Sequence, residues 1–482
     1  MASPADAPQS TAVSGGGGIG DPHRSADPHR NNDPRRALET APMSRLQVGA
    51  VAICIALNMI DGFDVLVVAF TSNALASAWN LTGAELGLLL SAGLFGMAGG
   101  SLLLAPLADW FGRRALILFC LCVITAGMLL AAFAEGPVQL FWLRVMTGLG
   151  IGGMLAGIGV IAAEYSSAKW RSTNVSLQTT GYPIGATLGG WIAALLIARY
   201  DWRAAFVFGG LASAAMIPVV LRGLPESLDF LVTRRPVGAL GKLNALLRRM
   251  GHAEVADLPQ REAQEVRSTE RPLRGLFAGE ALRSTLLIWS SFFLLMFSFY
   301  FVMSWTPRLL VAAGLSAEQG ITGGVLLNLG GIFGGTCFAL LAARVGVRRL
   351  TASFLAMSVI LTVAFGFLAT QFAAAFVVAV ALALAIGLFL IGSMAGLYSL
   401  APALYPAPVR TFGVGWAIGI GRLGAVLAPA IAGLLVDAGW SNTQLYCAFA
   451  VPMSLAVLTV LGLRMRMVPT NQYGSSSGRM SS

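Results

Sequence analysis

The sequence has little charge. Asp, Glu, Lys and Arg make up only 11% of its 482 residues, against roughly 25% in a typical soluble domain. Hydrophobic residues make up 56%, and the mean hydropathy is +0.75. Apolar runs of about 20 residues recur along the chain, each long enough to cross a hydrocarbon core of about 30 Å. This excludes an ordinary soluble domain. The unbroken runs predict an all-α membrane protein rather than a β-barrel, whose strands alternate apolar and polar residues.

The sequence also lacks the motifs of metal, nucleotide and redox sites. The histidines His23, His29 and His252 lie outside the apolar runs, and there is no His-Glu-x-x-His zinc site or Gly-x-x-x-x-Gly-Lys phosphate loop. The cysteines form no Cys-x-x-Cys spacing and are interpreted as packing residues; they are Cys54, Cys120, Cys122, Cys337 and Cys447. We therefore expect neither a metal site nor a cofactor, and no enzyme activity.

The N-terminal segment is polar and repetitive. Residues 1–46 are rich in Gly, Pro and Arg and contain Asp-Pro-His-Arg at 21–24 and again at 27–30. Such a segment cannot bury enough apolar surface to fold, and it lacks the apolar core of a cleavable signal peptide. We predict a disordered tail, a first membrane half, a charged linker, a second membrane half and a C-terminal tail, with bounds 1–46, 47–222, 223–283, 284–465 and 466–482.

Twelve spans are predicted, six in each half. Their approximate bounds are 48–70, 84–105, 115–134, 138–162, 175–197, 204–222, 284–305, 319–343, 349–368, 374–398, 411–436 and 443–463. Of the 32 Lys and Arg residues, only Arg199, Arg203 and Arg308 fall opposite the termini, and only Arg144 and Arg422 fall in the interior of spans. Both termini are therefore predicted to be cytoplasmic. The net charge of +10 reflects this topology, so we expect a lipid bilayer as partner and no nucleic acid.

The two halves resemble each other in sequence. The stretch Leu107–Arg114 is echoed by Leu341–Arg348, and the interval from Arg171 to Gly185 recurs from Arg410 to Gly424. Many secondary transporters are built from two such repeated halves, and their substrate and ion sites lie between the halves near the membrane midplane.

Four charged residues lie well inside the predicted spans, away from the ends: Asp61, Asp64, Arg144 and Arg422. Each costs roughly 2.5–3.5 kcal/mol on insertion scales, so such residues persist where they face a cavity or a partner. At a rise of about 1.5 Å per residue, the aspartates lie about 20 and 24 Å from the start of their span, and both arginines fall near the same depth. The i,i+3 spacing places both aspartates on one side of the first span.

These charges allow two roles. A carboxylate in an apolar cavity binds a proton more readily than one in water, whereas one paired with Arg stays ionised. Asp61 and Asp64 are therefore candidates for proton coupling, against the alternative that one merely neutralises Arg144. Arg422 is predicted to bind an anionic substrate, against the alternative that it pairs with a backbone carbonyl or a distant acid. Further candidate substrate-binding groups are Arg144, Asn328, Tyr182, Gln178, Tyr300, Trp305 and Tyr398.

A charged link joins the second and third spans. Its charges are predicted to lock the halves in one state and release them in another, and its glycine allows a tight turn. The alternative is a basic loop that only fixes topology. The candidate gating residues are Asp109, Gly112, Arg113 and Arg114, with Glu164 and Arg171 as partners and Arg410 as the counterpart of Arg171 in the second half.

The motifs resemble the major facilitator superfamily and, within it, the aromatic acid:proton symporter family. Asp61–Asp64 is similar to that family's Asp-Gly-Phe-Asp in helix 1, Leu107–Arg114 to the superfamily's loop motif, and Gly419–Gly424 to the pattern of helix 11. The resemblance covers about residues 48–465 and includes Ala163–Tyr165 with Arg171, Pro225–Ser227 and Tyr405–Arg410. It implies that the aspartates serve coupling and that Arg422 serves the substrate carboxylate.

The leading hypothesis is a bacterial inner-membrane symporter, expected as a monomer, that imports a small aromatic carboxylate with protons by alternating access. Two departures from the superfamily pattern are Trp110, where Arg is common, and Ala343, which replaces an acid. Span 5 reads Gly185-Ala186 rather than the Gly-Pro of superfamily antiporters, which favours symport. The alternatives are a proton-coupled antiporter that exports a drug or metabolite, and a transporter-like sensor of aromatic acids.

Overall fold

The computed structural model describes residues 38–39, 41–258, 280–368, 376–405 and 407–463. All regular secondary structure in these ranges is helical, and twelve helices are long and apolar enough to span a membrane. We number them α1 (Arg45–Trp79), α2 (Gly83–Leu103), α3 (Arg113–Ala131), α4 (Pro137–Glu164), α5 (Arg171–Arg199), α6 (Trp202–Gly223), α7 (Glu280–Ala312), α8 (Ala317–Val345), α9 (Val347–Leu368), α10 (Phe376–Leu404), α11 (Ala407–Asp437) and α12 (Asn442–Gly462). The predicted number of spans is confirmed.

Several helices are longer than their apolar runs. Four helices begin with a capping box. The hydroxyl of the N-cap residue accepts from the backbone N–H three residues later, and the side chain of that later residue accepts from the backbone N–H of the N-cap residue. The N-cap residues are Ser44, Thr82, Ser316 and Ser441. The largest difference is in α1, which was predicted to end at residue 70 but continues to Trp79. Hydropathy locates only the hydrocarbon-crossing part of a helix, so these ends were underestimated.

The internal repeat is visible in the backbone. Gly112 joins α2 to α3 by way of a short helix at Ala108–Phe111, and Gly346 joins α8 to α9. Both glycines have a positive φ, 96° and 87°, in a region that residues with a Cβ rarely adopt. The two sequence stretches that echo each other therefore form the same sharp turn.

The described part of the predicted linker is partly helical. Leu228–Arg234 and Ala239–Met250 form short helices. The second helix buries Leu243 and Leu247 and leaves Lys242, Arg248 and Arg249 exposed. Its apolar face therefore packs on the protein. Residues 259–279 lie outside the described residues, and so does the predicted C-terminal tail 466–482. Of the predicted N-terminal tail 1–46, only residues 38–39 and 41–46 are described.

The two halves meet on one side of the bundle. We call the side that carries the α2–α3 and α4–α5 links the inner side, and the opposite one the outer side. The halves contact each other through α1 with α7, α2 with α11, and α5 with α8. At the outer side, the Asp437 carboxylate at the end of α11 accepts from the N–H groups of Gly83 (2.5 Å) and Ala84 (2.8 Å), and Arg308 donates to Asn73 Oδ1 (2.7 Å).

The inner side of the same helices is open. Gly415 and Gly419 precede Arg422 on one face of α11, and a Cβ added to either glycine would meet no atom within 4 Å. On the outer part of α11, by contrast, a Cβ added to Gly433 would lie 2.2 Å from the carbonyl oxygen of Gly83. The halves therefore contact each other at the outer side, whereas this face of α11 is open towards the inner side.

Candidate functional site

Close packing of α1 against α5 places the first aspartate. A Cβ added to Gly62 would lie 2.0 Å from the carbonyl oxygen of Tyr182, and one added to Gly185 would lie 1.7 Å from that of Met59. Glycines at these positions let two helix backbones touch, as in other membrane helix pairs. Asp61, next to Gly62, is therefore brought close to Tyr182.

Both aspartates of α1 are enclosed in protein. The exposed fraction is 1% for Asp61 and 0% for Asp64, and neither carboxylate has a hydrogen-bond partner among the described residues. Their attracting charges differ, because Asp61 interacts with Arg422 of the second half and Asp64 with Arg144 of the first half. Two aspartates one helical turn apart are thus attracted by different arginines.

Arg144 is built into the interior of the first half. Its exposed fraction is 1%, and Nη1 contacts Met128 Sδ (3.2 Å) and Thr147 Oγ1 (3.4 Å). Its Nη2 donates to the backbone carbonyl of Asp64. A Cβ added to Gly93 of α2 would lie 3.2 Å from the same Nη2. Arg144, predicted as a substrate-binding residue, is therefore held by α1, α2, α3 and its own helix, apart from the Arg422 group.

Arg422 lies where the two halves face each other. It approaches Met97 Sδ of the first half at 3.8 Å and interacts electrostatically with Asp61 and with the hydroxyl groups of three tyrosines. Tyr182 comes from the first half, and Tyr300 and Tyr398 come from the second half. Arg422 is only partly buried and lies one helical turn beyond Gly419, on the open face of α11. This cluster has one fixed cation, one carboxylate and three hydroxyl groups.

The other predicted substrate-binding side chains are buried, and no described hydrogen bond joins them to Arg422. Trp305 is 1% exposed, and its indole N–H donates to the carbonyl oxygen of Pro429 (3.1 Å), so it supports α11. Asn328 donates to the carbonyl oxygen of Gly324 (2.9 Å), and its Oδ1 is buried without a partner among the described residues. Gln178 is buried in α5 with an exposed fraction of 4%.

A second polar cluster lies at the inner side of the first half. Arg113 forms an ion pair with Glu164, and its Nη1 donates to Ser227 Oγ (2.5 Å). Glu164 also accepts from Ser227 Oγ (2.8 Å) and from the backbone N–H of Leu228 (3.1 Å). The predicted contact between Arg113 and Glu164 is therefore present. The segment after α6 completes the cluster.

Glu226 supplies a cap that α3 lacks. The residue before α3 is Gly112, which has no side chain for capping, and the Glu226 carboxylate accepts from the backbone N–H of Arg114 (3.0 Å). The Tyr165 hydroxyl donates to the Glu226 carbonyl oxygen (2.6 Å). Burial, together with the nearby charges of Glu164 and Glu226, keeps the pKa of Tyr165 well above its usual range, so this hydroxyl remains a donor.

The remaining predicted gating residues are not part of this hydrogen-bonded cluster. Arg171 pairs with Glu39 (2.8 Å) instead of the α2–α3 link, and Arg410 donates to the carbonyl oxygen of Tyr405 (3.3 Å). Asp109 borders a cavity of about 290 Å³, which is lined by Asp109, Arg113, Asp229, Phe230, Thr233 and Arg234.

Comparison with known proteins agrees with this architecture. A family model described as the Major Facilitator Superfamily matches residues 51–399. The chain belongs to this superfamily. The gallate transporter of Pseudomonas putida is 31% identical over 435 residues, which cover 90% of this chain and 96% of the relative. The 4-hydroxybenzoate transporter PcaK of the same species is 31% identical over 425 residues, which cover 87% and 93%.

Solved structures show the same fold. The xylose transporter XylE from E. coli, in a partially occluded inward-open conformation, matches with a TM-score of 0.70 and 16% identity over 87% of this chain and 98% of that chain. The chain is thus a multi-pass membrane transporter with the major facilitator fold, as predicted, and not an enzyme. The gallate and 4-hydroxybenzoate relatives confirm the resemblance to aromatic-acid transporters of the superfamily.

Four residues make contacts in the structure but were not singled out as functional from the sequence: Glu226, Ser227, Asn58 and Asp437. Glu226 and Ser227 lie in a motif that resembles the family pattern, but no role was assigned to them. Asn58 is an amide inside a span and one turn before Asp61, which was an available signal. Asp437 lies at the end of α11 at the outer side. Its role was not predictable from the sequence, because its two partners, the N–H groups of Gly83 and Ala84, lie in the other half.

Proposed function

We propose that this protein is a proton-coupled symporter that imports a small aromatic carboxylate across the bacterial inner membrane, with the inner side cytoplasmic. The observation that supports it most is the electrostatic attraction between Asp61 of the first half and Arg422 of the second half. Arg422 binds the substrate carboxylate, and Asp61 binds the proton. Arg422 is partly exposed, whereas Asp61 is enclosed in this state.

Charge balance couples the two ligands. In the empty site the charges of Asp61 and Arg422 offset each other. A substrate carboxylate on Arg422 adds a second negative charge, and a proton on Asp61 removes the excess. Carrying an unpaired charge through the apolar core costs several kcal/mol. The halves therefore change state readily when the site is empty or holds both ligands, and poorly when it holds one.

Asp64 and Arg144 have a different part in this scheme. Their interaction lies inside the first half, and Arg144 is also bonded to the backbone of Asp64. The pair keeps its neutrality whichever side the cavity faces. We assign Asp64 as a fixed counter-ion of Arg144, and Asp61 as the group that gains and loses the proton.

The aromatic character of the substrate is suggested by the relatives and by the site. The named relatives carry gallate and 4-hydroxybenzoate. Tyr182, Tyr300 and Tyr398 surround Arg422, and aromatic faces and hydroxyl groups together suit an aromatic ring with polar substituents. The arginine fork suits a carboxylate.

Uptake by cells that express the protein tests the proposal. Radiolabelled 4-hydroxybenzoate is the probe, with gallate, benzoate and a neutral phenol as competitors. We expect the acids to compete and the phenol not to. Arg422→Ala should raise KM for the acid at least tenfold, whereas Arg203→Ala, which removes an exposed arginine paired with Asp201, should leave it unchanged. Wild-type affinity in Arg422→Ala would disprove the carboxylate site.

A further inference from the structure

A proline interrupts the hydrogen bonds of α5 next to the candidate site. Pro183 lies inside α5 and has no backbone N–H, so the carbonyl group four residues earlier, that of Thr179, loses its helical donor. A carbonyl group left without a donor inside a membrane protein must find another partner. Tyr182, one of the three tyrosines around Arg422, immediately precedes this proline.

A side chain of α1 supplies donors at this point. Asn58 is 4% exposed, and its amide Nδ2 donates to the carbonyl oxygen of Gln178 (2.7 Å) and lies 3.4 Å from that of Thr179. Asn58 is one helical turn before Asp61. The same side chain therefore bridges the helix that carries the proton site and the interrupted turn of α5.

We propose that Asn58 is a positioning residue for transport. It binds the turn of α5 that Pro183 interrupts and so fixes the place of Tyr182 beside Asp61 and Arg422. Backbone contact at Gly62 holds the other end of this turn, because the carbonyl group of Tyr182 lies where a Cβ of residue 62 would be. The role rests on the proposed function, whereas the contact between Asn58 and the interrupted turn does not.

A double-mutant cycle tests the contact without any substrate. Asn58→Leu keeps the branching of the side chain at Cγ but removes the donors, and Pro183→Ala restores the missing backbone N–H. In detergent, Asn58→Leu should lower the Tm by ~2 °C, and it should lower the Tm much less when Pro183→Ala is also present. Pro218→Ala, which removes a proline inside α6, is the control and should give no such rescue. If Asn58→Leu misfolds, Asn58→Ala is used in the same cycle.

Transport kinetics test the positioning role. For 4-hydroxybenzoate we expect Asn58→Leu to raise KM about fivefold, the equivalent of one neutral hydrogen bond, with Vmax changed less than about twofold. When Pro183→Ala is added to Asn58→Leu, KM should return most of the way to that of the unmodified protein. Adding Pro218→Ala to Asn58→Leu should leave KM raised. A general loss of folded protein would lower Vmax instead of raising KM.

The two readouts separate the possible failures. If the effects of Asn58→Leu and Pro183→Ala on the Tm simply add, the contact does not compensate for the proline and the inference is wrong. If the Tm cycle shows rescue but KM is unchanged, Asn58 is structural only, and the positioning role is disproved. If the unmodified protein carries no aromatic carboxylate, the proposed function and the positioning role both fail, while the Tm cycle still decides the contact.

Discussion

The glycine between the two aspartates of α1 shows how a single residue fixes the site. Gly62 sets the separation of α1 from α5, because no atom but hydrogen fits between its Cα and the Tyr182 carbonyl oxygen. This contact brings a residue of α5 next to Asp61. The spacing of the Asp-Gly-Phe-Asp motif therefore has a packing reason as well as an electrostatic one.

We predict that Gly62→Ala destabilises the protein and impairs transport. The added Cβ would lie 2.0 Å from a backbone oxygen, so α5 must move, and overpacking of this kind costs about 1–3 kcal/mol. Gly49→Ala in the same helix, where a Cβ meets no atom within 4 Å, is the control. The measurement is the Tm in detergent together with uptake. Equal Tm values for the two variants would contradict the packing argument.

The Asp64 and Arg144 pair leads to a second prediction. Arg144→Ala leaves a buried carboxylate without its counter-ion, which costs about 3–5 kcal/mol when one partner of a buried pair is removed. Adding Asp64→Asn should recover a large part of that loss. The measurement is the yield and Tm of the two single variants and the double variant. If the double variant is no more stable than Arg144→Ala, the two residues do not compensate each other.

At this scale the sequence predicted the important residues better than their partners. Asp61, Asp64, Arg144 and Arg422 stand out because charge is costly in a membrane. Depth placed them at one level, but depth says nothing about direction around a helix axis. Which aspartate faces which arginine depends on helix rotation, and helix rotation depends on glycine contacts such as that at Gly62.

At the scale of elements, the contact between α2 and α11 joins the halves at the outer side. The first four N–H groups of α2, like those of every helix, have no acceptor within the helix itself. The Thr82 hydroxyl, in the first half, accepts from the N–H of the third residue, Glu85. The Asp437 carboxylate, in the second half, accepts from the N–H groups of the first two residues, Gly83 and Ala84. When the outer side opens, these two N–H groups and the carboxylate must separate.

We therefore predict that Asp437→Ala favours outer-side opening. A carboxylate at a helix N-terminus contributes about 0.3–1 kcal/mol when exposed, and up to ~2 kcal/mol in favourable geometry. The reporter is the variant Gly415→Cys in a protein whose native cysteines are replaced. Gly415 is exposed on the open face of α11 towards the inner side. Labelling of the introduced cysteine by a maleimide applied to the inner side should slow about threefold or more in Asp437→Ala.

Glu318→Gln is the matched control for this labelling. Glu318 is also an acid in the first turn of an outer-side helix, α8. Its neutralisation should leave the labelling rate unchanged, because no described hydrogen bond of its side chain joins the halves. An unchanged rate in Asp437→Ala would show that the contact does not hold the outer side closed.

The elements themselves were largely predictable. Continuous apolar runs gave twelve spans because each must cross a fixed thickness of hydrocarbon, and the repeated loop motifs indicated two similar halves. The extension of α1 to Trp79 was missed, since it lies beyond the apolar run. The cap of α3 was also missed, because Glu226 comes from a segment more than a hundred residues away.

At the scale of the whole molecule, the halves contact each other at the outer side and leave the inner part of α11 open. In the proposed alternating-access cycle, this is the state from which a proton on Asp61 and a carboxylate on Arg422 are released to the inner side. The opposite state requires the α2–α11 contact at the outer side to break and the inner side to close. The sequence identified the fold and the charged residues, but not which side is closed.

Accumulation in proteoliposomes tests the coupling by Asp61 most directly. The protein is reconstituted, the membrane potential is clamped at zero with potassium and valinomycin, and the side corresponding to the cell exterior is made acidic. The unmodified protein should accumulate 4-hydroxybenzoate above the external concentration. Asp61→Asn, which resembles the protonated aspartate, should exchange labelled for unlabelled substrate but fail to accumulate it, and Glu318→Gln should accumulate it normally. Accumulation by Asp61→Asn, or substrate movement against the direction of proton flow in the unmodified protein, would contradict the account.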